Sequence, residues 1–522
     1  MARTVALAFV LFVLTAADAQ ATAFRVVVVP GLGLDDLPAL AERGAVGLLV
    51  PGSGPETSGT AARAALVRGK VTNSLSGPTT GPRLIRFETS DTIPAGPVIV
   101  VGLPSGPTQS NDRRYPVAVI GAGYRGLLVS DSTRIPGLVS IVDIAPTALG
   151  REHGLRSESE ADAAGRVADL DRRITANNRY RVPAMFLILL LIAGLAVVWP
   201  WAGLLAFGAA LIANLLLGLA GVWNPWALLS IFGVAVVAGG VAFGAVLRSD
   251  FAAGTFFAAV LGAYLVVLGT SSAVALSILG PTQNGRFYGV GNLLETILLA
   301  PALAGAFFLA RRFGAIGFAA VALLAFAIVA GNRFGADGGG AIVLGAGFAV
   351  LGALFWRARG KRLVVALALG LVVAFGLLAL DAATGASSHV TRALDSGPSG
   401  LASDLRDRVT LSWNRIENKP YVGIMFAIGL LALIALTVHV LRSDRPLADR
   451  ALPLGFAAAI AVSLIVNDSP NDVAIAGSVG LLVCDLVMLP RRWAAASCSC
   501  SPLAFSWPAA EERPLSRLRP RP

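Results

Sequence analysis

From residue 182 onward the chain is a succession of apolar runs, each close to the roughly 20 residues that a helix needs to cross a bilayer. A composition of 55% hydrophobic and 14% charged residues, with a mean hydropathy of +0.73, excludes an ordinary soluble protein. We predict about eleven spans, near residues 182–199, 201–221, 226–247, 252–272, 293–310, 313–330, 340–356, 363–380, 421–441, 451–467 and 472–490. The predicted fold class is an N-terminal α/β domain followed by a polytopic α-helical membrane domain over 182–492.

The two ends of the chain differ from this pattern. Residues 1–21 resemble a secretory signal peptide, in which Arg3 is followed by the apolar core Val5–Ala17 and by small residues suited to cleavage. An uncleaved first helix is the alternative, and under both interpretations the next region of the chain is exported. Residues 493–522 are rich in Pro, Ser and Arg, which predicts a disordered cytoplasmic tail.

Residues 22–181 are the only long part with soluble-domain character. Short β-type runs alternate with helical stretches such as 35–43, and they lie at 25–30, 46–50, 98–101, 117–120, 127–129 and 138–142. This alternation predicts an α/β layer fold with a largely parallel sheet. The charged, helix-compatible segment 151–181 is predicted to be a stalk that leads into the membrane.

This region resembles the alkaline-phosphatase-like superfamily of phosphatases, sulfatases and phosphomutases. The resemblance rests on the stretches Val26–Leu32, Leu37–Gly44, Thr57–Gly59 and, most specifically, Gly137–Leu149. It implies a reduced version of that fold. Members of the superfamily use Asp and His ligands for two metals, and a Ser or Thr nucleophile at a helix N-terminus.

The chain departs from the superfamily at the ligand positions. Pro30 stands where the first-strand Asp is expected, Val101–Ser105 replaces a Ser-Asp-His-Gly motif, and His153 is the only histidine of the region. We therefore predict a domain without metal or cofactor that binds or scaffolds. Thr57 or Ser58 offers a hydroxyl at a helix start, either as a nucleophile or, in the favoured interpretation, as a plain N-cap.

The formal net charge of +11 comes in good part from short basic connections between apolar runs, so we do not predict nucleic-acid binding. If the α/β domain is outside, every second connection is cytoplasmic, and those connections contain Arg248, Arg311, Arg312, Arg357, Arg359, Lys361, Arg362, Arg442, Arg445, Arg450, Arg491 and Arg492. This positive-inside pattern predicts a multi-pass protein of the inner (plasma) membrane. Its domain is then extracytoplasmic, its C-terminus cytoplasmic, and its partner the lipid bilayer.

Three polar loops, the first two rich in glycine, are predicted to share the outer face: Gly280–Glu295, Gly331–Gly340 and Asn467–Asp472. Polar backbone at membrane depth is tolerated only when it is buried in protein or lines a wet cavity, so these loops predict a site. Its catalytic residues are unknown, with the candidates Arg286, Glu295, Asp337 and Asp468. The predicted substrate-binding residues are Gln283, Asn284, Arg286, Tyr288, Asn292, Arg333, Asn467 and Asp468.

The residue types in these loops indicate the chemistry. Arg286 and Arg333 suit a phosphate or carboxylate, which a guanidinium can grip with two hydrogen bonds. Asp337 and Asp468 suit acid, base or cation-ligand roles, and an acidic residue within a span, such as Glu295, is costly unless it is paired or functional. The alternative is that these charges pair with one another and lock the bundle.

Two other polar residues within the spans have simpler interpretations. Asn214 is predicted to form hydrogen bonds between helices, and His439 to be a packed or interfacial histidine.

The same loops also look like those of a group of uncharacterised multi-spanning bacterial envelope proteins with a phosphatase-like outer domain. The matching stretches are Gly285–Asn292, Gly335–Gly339 and Asn467–Ser469, whereas Pro470 stands where a glycine is usual. The resemblance covers nearly the whole chain and implies no established activity.

The predicted function is to bind or process a lipid-linked, phosphorylated or glycosylated envelope substrate at the outer face. A transporter or flippase that uses the same loops as a gate is one alternative, motivated by the break around Gly280-Pro281 and by Glu295. It requires polar residues that continue toward the inner face, and the sequence offers few. A non-catalytic envelope scaffold is the other alternative, and whether the protein is an enzyme stays open.

Overall fold

The structure, a computed structural model, describes residues 24–74, 79–284, 286–358 and 420–489, with residues 360 and 361 and scattered residues between 364 and 417. The predicted signal peptide, most of the predicted span 363–380 and the predicted tail lie outside the described residues. The described part contains an N-terminal mixed-sheet domain and a C-terminal helical bundle.

The mixed sheet is built from short, mostly apolar strands, consistent with burial on both faces. Among the described residues the domain has ten strands, which in chain order are β1 Arg25–Val28, β2 Ala45–Val50, β3 Glu56–Thr57, β4 Glu88–Thr89, β5 Val98–Val101, β6 Gln109–Ser110, β7 Tyr115–Ile120, β8 Gly126–Val129, β9 Leu138–Ser140 and β10 Arg156–Glu158. The main sheet has the order β10-β8-β2-β7-β5-β1-β4, with β9 also paired to β2, and β3 and β6 form a separate two-stranded sheet.

The prediction of a largely parallel sheet is met only in part, because the main sheet is mixed, with four parallel and three antiparallel strand pairs in the described part of the chain. Strand β7 is antiparallel to both of its neighbours, β2 and β5, and β10 is antiparallel to β8. The chain returns from β5 to β7 without an intervening helix, and a connection of that kind favours an antiparallel neighbour over a parallel crossover. The predicted strand positions are otherwise confirmed to within a few residues.

Helices cover both faces of the main sheet. On one face, α2 (Gly59–Arg68) and α3 (Ile144–Ala148) pack in a buried cluster with alternate residues of the strands. On the other face, α1 (Leu37–Arg43) packs in a second cluster together with the first turns of the long helix α4 (Ala163–Val198). The domain is therefore a three-layer α/β structure.

The bundle follows the predicted spans closely. Among the described residues, nine helices are long and apolar enough to cross a membrane: α4, α5 Pro200–Leu219, α6 Pro225–Val246, α7 Asp250–Thr270, α8 Asn292–Ala330, α9 Gly338–Phe355, α10 Pro420–Arg442, α11 Leu447–Val466 and α12 Pro470–Val487. Such a set indicates a multi-pass membrane protein. The predicted stalk 151–181 is helical only from Ala163, because its first part contains β10 of the main sheet. Its remainder and the first predicted span form one continuous helix, α4, which joins the domain to the bundle.

Helix α8 consists of two arms that fold back on each other. Its backbone leaves the helical region at Gly314, where φ is +58° and ψ is −138°. A β-carbon on Gly317 would lie 2.5 Å from the carbonyl oxygen of Leu309, and one on Gly305 would lie 3.4 Å from Val321 Cγ1. The arms thus run antiparallel and correspond to the predicted spans 293–310 and 313–330. The total of about eleven spans stays a prediction, because span 363–380 is mostly outside the described residues.

Candidate functional site

The loop between α7 and α8 (residues 271–291, here loop 1) is held by a polar stripe on α4. Arg173 Nε and Asn177 Nδ2 both donate to the carbonyl oxygen of Leu276, at 3.0 and 2.6 Å, and Arg181 donates to the carbonyl oxygen of Gly280. The three donors are spaced four residues apart, so they share one face of the helix. The stripe satisfies carbonyl groups that loop 1 cannot satisfy itself.

A second set of hydrogen bonds holds loop 1 from within the bundle. Asn214 of α5 is buried, and its Nδ2 donates to Tyr264 Oη and Ser277 Oγ, both at 3.0 Å. Its Oδ1 accepts from the backbone N–H of Leu279 at 3.2 Å. The prediction that Asn214 bonds between helices is confirmed, and its partners include the loop itself.

The mixed-sheet domain covers loop 1. The part of the domain that lies against the loop is the edge of the sheet at which the parallel strands end. Asn111 donates to the carbonyl oxygens of Gly52 and Gly54, just beyond β2, and its own carbonyl oxygen accepts from Asn284 Nδ2 at 3.3 Å. Ala275 and Leu276 are part of the buried cluster formed by α1, α4 and the sheet. Open α/β sheets bind ligands at this edge, and here loop 1 lies against it.

Arg134, in the segment that follows β8, reaches both loop 1 and the loop that precedes α9 (residues 331–337, here loop 2). Its guanidinium carbon lies 3.9 Å from the centroid of the Tyr288 ring, and its Nη1 donates to the carbonyl oxygen of Asn332 at 2.6 Å. Its backbone φ is +55°, a conformation that costs free energy for a residue other than glycine. Arg134 therefore ties the domain to two of the three predicted loops.

The predicted convergence of the three loops is found in the structure. Arg286 Nη1 of loop 1 donates to Asp337 Oδ2 of loop 2 at 2.6 Å, and its Nη2 donates to the carbonyl oxygens of Gly335 and Ala336 at 3.1 and 2.8 Å. Asp337 in turn caps α9 by accepting from the backbone N–H of Gly340. The Arg286–Asp337 pair thus ties loop 1 to the start of α9, as the locking interpretation requires.

The loop between α11 and α12 (residues 467–469, here loop 3) completes the cluster. Asn292 Nδ2 donates to Asp468 Oδ1 at 2.8 Å. Asn467 Nδ2 donates to Ser463 Oγ at 2.7 Å and to Glu295 Oε2 at 3.3 Å. Asn467 and Glu295 are each only 1% exposed. We call Arg286, Asn292, Glu295, Asp337, Asn467 and Asp468 the three-loop cluster.

Glycines allow the loops to approach this closely. Gly289 has a φ of +81°, and a β-carbon there would lie 1.9 Å from the carbonyl oxygen of Gly335. A β-carbon on Gly340 would lie 2.3 Å from Val329 Cγ1 and 3.2 Å from the carboxyl carbon of Glu295. Any side chain at either position would push the loops apart.

The carboxylates of the cluster lie at helix N-termini. Glu295 is in the first turn of α8, Asp337 is the N-cap of α9, and Asp468 precedes the N-cap of α12. The partial positive charge at the start of each helix stabilises a nearby anion. Together with Arg286, these helix ends explain how three acidic side chains are accommodated among apolar spans.

Four predicted binding residues lie outside the three-loop cluster. Gln283 is buried and donates to the carbonyl oxygen of Ala275 at 2.8 Å. Asn284 and Tyr288 contact the mixed-sheet domain, and Arg333 is exposed. The structure therefore brings Arg286, Asn292, Glu295, Asp337, Asn467 and Asp468 together and leaves these four around them.

The interior below Glu295 is apolar. A narrow gap next to its side chain leaves no room for a water molecule and is otherwise lined by Leu261, Leu298, Ala302, Ala325, Ile328, Val329 and Leu344.

At the other end of the bundle, Asp485 is buried and pairs with Arg445, while His439 Nε2 lies 3.8 Å from Asp485 Oδ2. His439 is largely exposed, as befits an interfacial histidine.

In the mixed-sheet domain, the residues behind the phosphatase resemblance have structural roles. Ser58 Oγ accepts from the backbone N–H of Ala61, which confirms the plain N-cap at α2. Asp143 accepts from Ser130 Oγ, Ser132 Oγ and the backbone N–H of Ser140, at 2.7, 2.8 and 2.8 Å. Burial raises the pKa of Asp143, and these hydrogen bonds oppose the rise.

Within the described residues, no group of three or more His, Cys, Asp or Glu side chains is placed to hold a metal ion.

Sequence reasoning missed the residues that hold loop 1. The spacing of Arg173, Asn177 and Arg181 was a usable signal, because long polar side chains recur on one face of a helix that enters an apolar bundle. Arg134 gave no such signal, since its role depends on a contact far away in sequence.

Comparison of the chain with protein-family models, with curated proteins and with solved structures gave no match.

Proposed function

We propose that this is an integral membrane protein of the cell envelope that binds or processes a lipid-linked, phosphorylated or glycosylated substrate at the outer face of the inner (plasma) membrane. In this proposal the three-loop cluster receives the polar part of the substrate, and the surrounding helices adjoin its lipid part. The proposal is supported by the convergence of three helix N-termini and polar loops at one end of an apolar bundle.

One observation favours a binding site over a purely structural lock. The Oδ1 atom of Asn467 is buried and has no hydrogen-bond partner among the described residues. An unsatisfied buried acceptor costs about 1–3 kcal/mol, so a lock alone gives no reason to keep one. A ligand group that donates to this atom accounts for it.

The outward orientation rests on the charge pattern. The ends of the bundle away from the domain carry basic residues, such as Arg311, which pairs with Asp250 at 2.6 Å, and Arg445. By the positive-inside rule that end is cytoplasmic, and the domain and cluster are outside. The domain then serves as a cover that binds or scaffolds over loop 1.

Transport through the bundle is the weaker alternative. A transporter needs polar groups that continue from the cluster toward the other end, and the space next to Glu295 is lined by apolar side chains and excludes water. A scaffold role agrees with the position of the domain over loop 1. It does not explain why Asn467 Oδ1 has no hydrogen-bond partner among the described residues.

The test is to replace Asp468 by Asn in the cell that makes the protein and to compare envelope lipids and glycans by mass spectrometry. We expect the Asp468→Asn variant to accumulate or lose a lipid-linked species at unchanged protein abundance. The matched control is Asp250→Asn, which removes a carboxylate at the other end of the bundle and should leave the profile unchanged. Identical profiles in wild type, Asp468→Asn and a strain without the protein would contradict the proposal.

A further inference from the structure

The part of the chain described by the structure contains three buried side-chain amides whose oxygen lacks a partner and whose nitrogen is in use. They are Asn111 of the mixed-sheet domain, Gln283 of loop 1 and Asn467 of loop 3, which are 3%, 4% and 1% exposed. Asn111 and Gln283 lie on the two sides of the contact between the domain and loop 1, since the neighbouring Asn284 bonds to Asn111. Asn467 lies in the three-loop cluster itself.

The orientation of each amide is fixed by its nitrogen. Asn111 Nδ2 donates to two carbonyl oxygens, and Gln283 Nε2 donates to the carbonyl oxygen of Ala275. Asn467 Nδ2 donates to Ser463 Oγ and to the Glu295 carboxylate. A flipped amide would set oxygen against oxygen in most of these contacts. The three spare groups are therefore acceptors.

Most guanidinium donors of the site are already engaged, although Arg181 Nε is buried without a partner among the described residues and Arg333 is exposed. Arg286 bonds to Asp337 and two carbonyl groups, Arg134 bonds to Asn332, and the Arg173 and Arg181 side chains bond to loop-1 carbonyls. A phosphate or carboxylate brings only acceptors at neutral pH, so it could accept from these spare donors but would leave the three spare oxygens unpaired. A group that brings hydroxyl donors would meet the spare oxygens directly.

The charges of the site also favour an uncharged ligand group. The carboxylates of the cluster face Arg286 and three helix N-termini, which stabilise negative charge. A cation would therefore meet positive helix ends, and an added anion would meet the carboxylates. An uncharged ligand group avoids both.

We infer that the polar group bound between the three-loop cluster and Gln283 of loop 1 is an uncharged, hydroxyl-bearing sugar, whose hydroxyls donate to Asn467 Oδ1 and Gln283 Oε1. This inference rests on the proposed function and selects the glycosyl part of the substrate over its phosphate. Both oxygens are covered in the structure, so binding requires a local separation of loops 1 and 3.

The test uses full-length protein in phosphatidylcholine nanodiscs and follows thermal unfolding by tryptophan fluorescence. Octyl glucoside and octyl phosphate, which share the same chain, are titrated below their micellar concentrations. We expect octyl glucoside to raise the unfolding midpoint by about 3 °C or more at saturation and octyl phosphate to leave it unchanged. The glucoside shift should disappear in Asn467→Leu and in Gln283→Met, each measured against its own ligand-free midpoint.

The control for a general loss of stability is Asp485→Asn, which disrupts the buried pair with Arg445 at the far end of α12 and should keep the glucoside shift. A shift with octyl phosphate alone would overturn the sugar assignment and leave the proposed substrate site standing. No shift with either probe would overturn both. A glucoside shift that persists in Asn467→Leu and Gln283→Met would also overturn the inference, because the spare oxygens would then not be its acceptors.

Discussion

At the residue scale, the three-loop cluster depends on backbone positions that admit no side chain. Gly340, in the first turn of α9, packs against Val329 and Glu295, and Gly289 contacts the backbone of loop 2. These contacts explain why polar loops can pack as tightly as the apolar helices around them.

Replacing Gly340 by Ala tests this packing. The new β-carbon would lie 2.3 Å from Val329 Cγ1, so we expect a loss of about 1–3 kcal/mol in the free energy of unfolding, measured as a lower unfolding midpoint in nanodiscs. Gly262→Ala in α7 is the matched control, because nothing lies within 4 Å of its β-carbon position. Equal midpoints for Gly340→Ala and Gly262→Ala would contradict the packing described.

Asp143 gives a prediction about pH. Burial raises its pKa in the folded domain above the unfolded value, so the folded state binds a proton more readily. Its ionisation therefore destabilises the fold, and stability falls as pH rises from the unfolded pKa through the folded pKa. We expect hydrogen exchange of the β9–α3 segment, corrected for the intrinsic effect of pH, to speed up across that window in wild type.

Asp143→Asn should remove that pH dependence while keeping most of the hydrogen bonds from Ser130, Ser132 and Ser140. The measurement is hydrogen–deuterium exchange on both proteins at matched pH values. The same pH dependence in the Asn variant would show that another group titrates.

At the element scale, helix α4 connects the domain to the bundle and also holds loop 1. Asn177→Ala removes one of the two donors to the Leu276 carbonyl oxygen and leaves Arg173 Nε, so we expect a loss of about 0.5–1.5 kcal/mol, the net contribution of a typical hydrogen bond. We expect faster hydrogen exchange in residues 272–280 and little change elsewhere. Arg166→Ala on the exposed face of the same helix is the control and should leave loop 1 unchanged. Loop 1 exchange that is equally slow in both variants would contradict the holding role.

The sequence was informative about elements and less so about their contacts. Spans such as 226–247 and 421–441 were predicted within about one residue, because the length of an apolar run is set by bilayer thickness. The turn between the arms of α8 was visible as the basic pair Arg311 and Arg312. The antiparallel direction of β7 was not visible in the sequence, because strand direction depends on tertiary pairing.

The candidate site, too, was predictable from the sequence only in part. The convergence of Arg286, Asp337 and Asp468 followed from the parity of the spans. The cover provided by Asn111 and Arg134 did not, because nothing local in those residues indicates a partner in loop 1 or loop 2.

At the scale of the whole molecule, the domain and the bundle are joined by α4, by loop 1 in the domain's buried cluster and by Arg134. The proposed orientation places the domain outside the cell membrane. In a background without Cys484, Cys498 and Cys500, a cysteine in place of Asp91 should react with a membrane-impermeant maleimide in intact cells. A cysteine in place of Arg312 should react only after permeabilisation, and the reverse pattern would contradict the orientation.

The central claim, that the three-loop cluster binds a lipid-linked envelope substrate, is tested most directly by photo-crosslinking in living cells. A photoreactive amino acid replaces Ser469 of loop 3, and the control carries it at Trp356, beyond the far end of α9. After irradiation, mass spectrometry of the purified protein should find a glycosylated or phosphorylated lipid attached at position 469 and absent at 356. Crosslinks at 469 only to bulk phospholipid, matching those at 356, would contradict the claim.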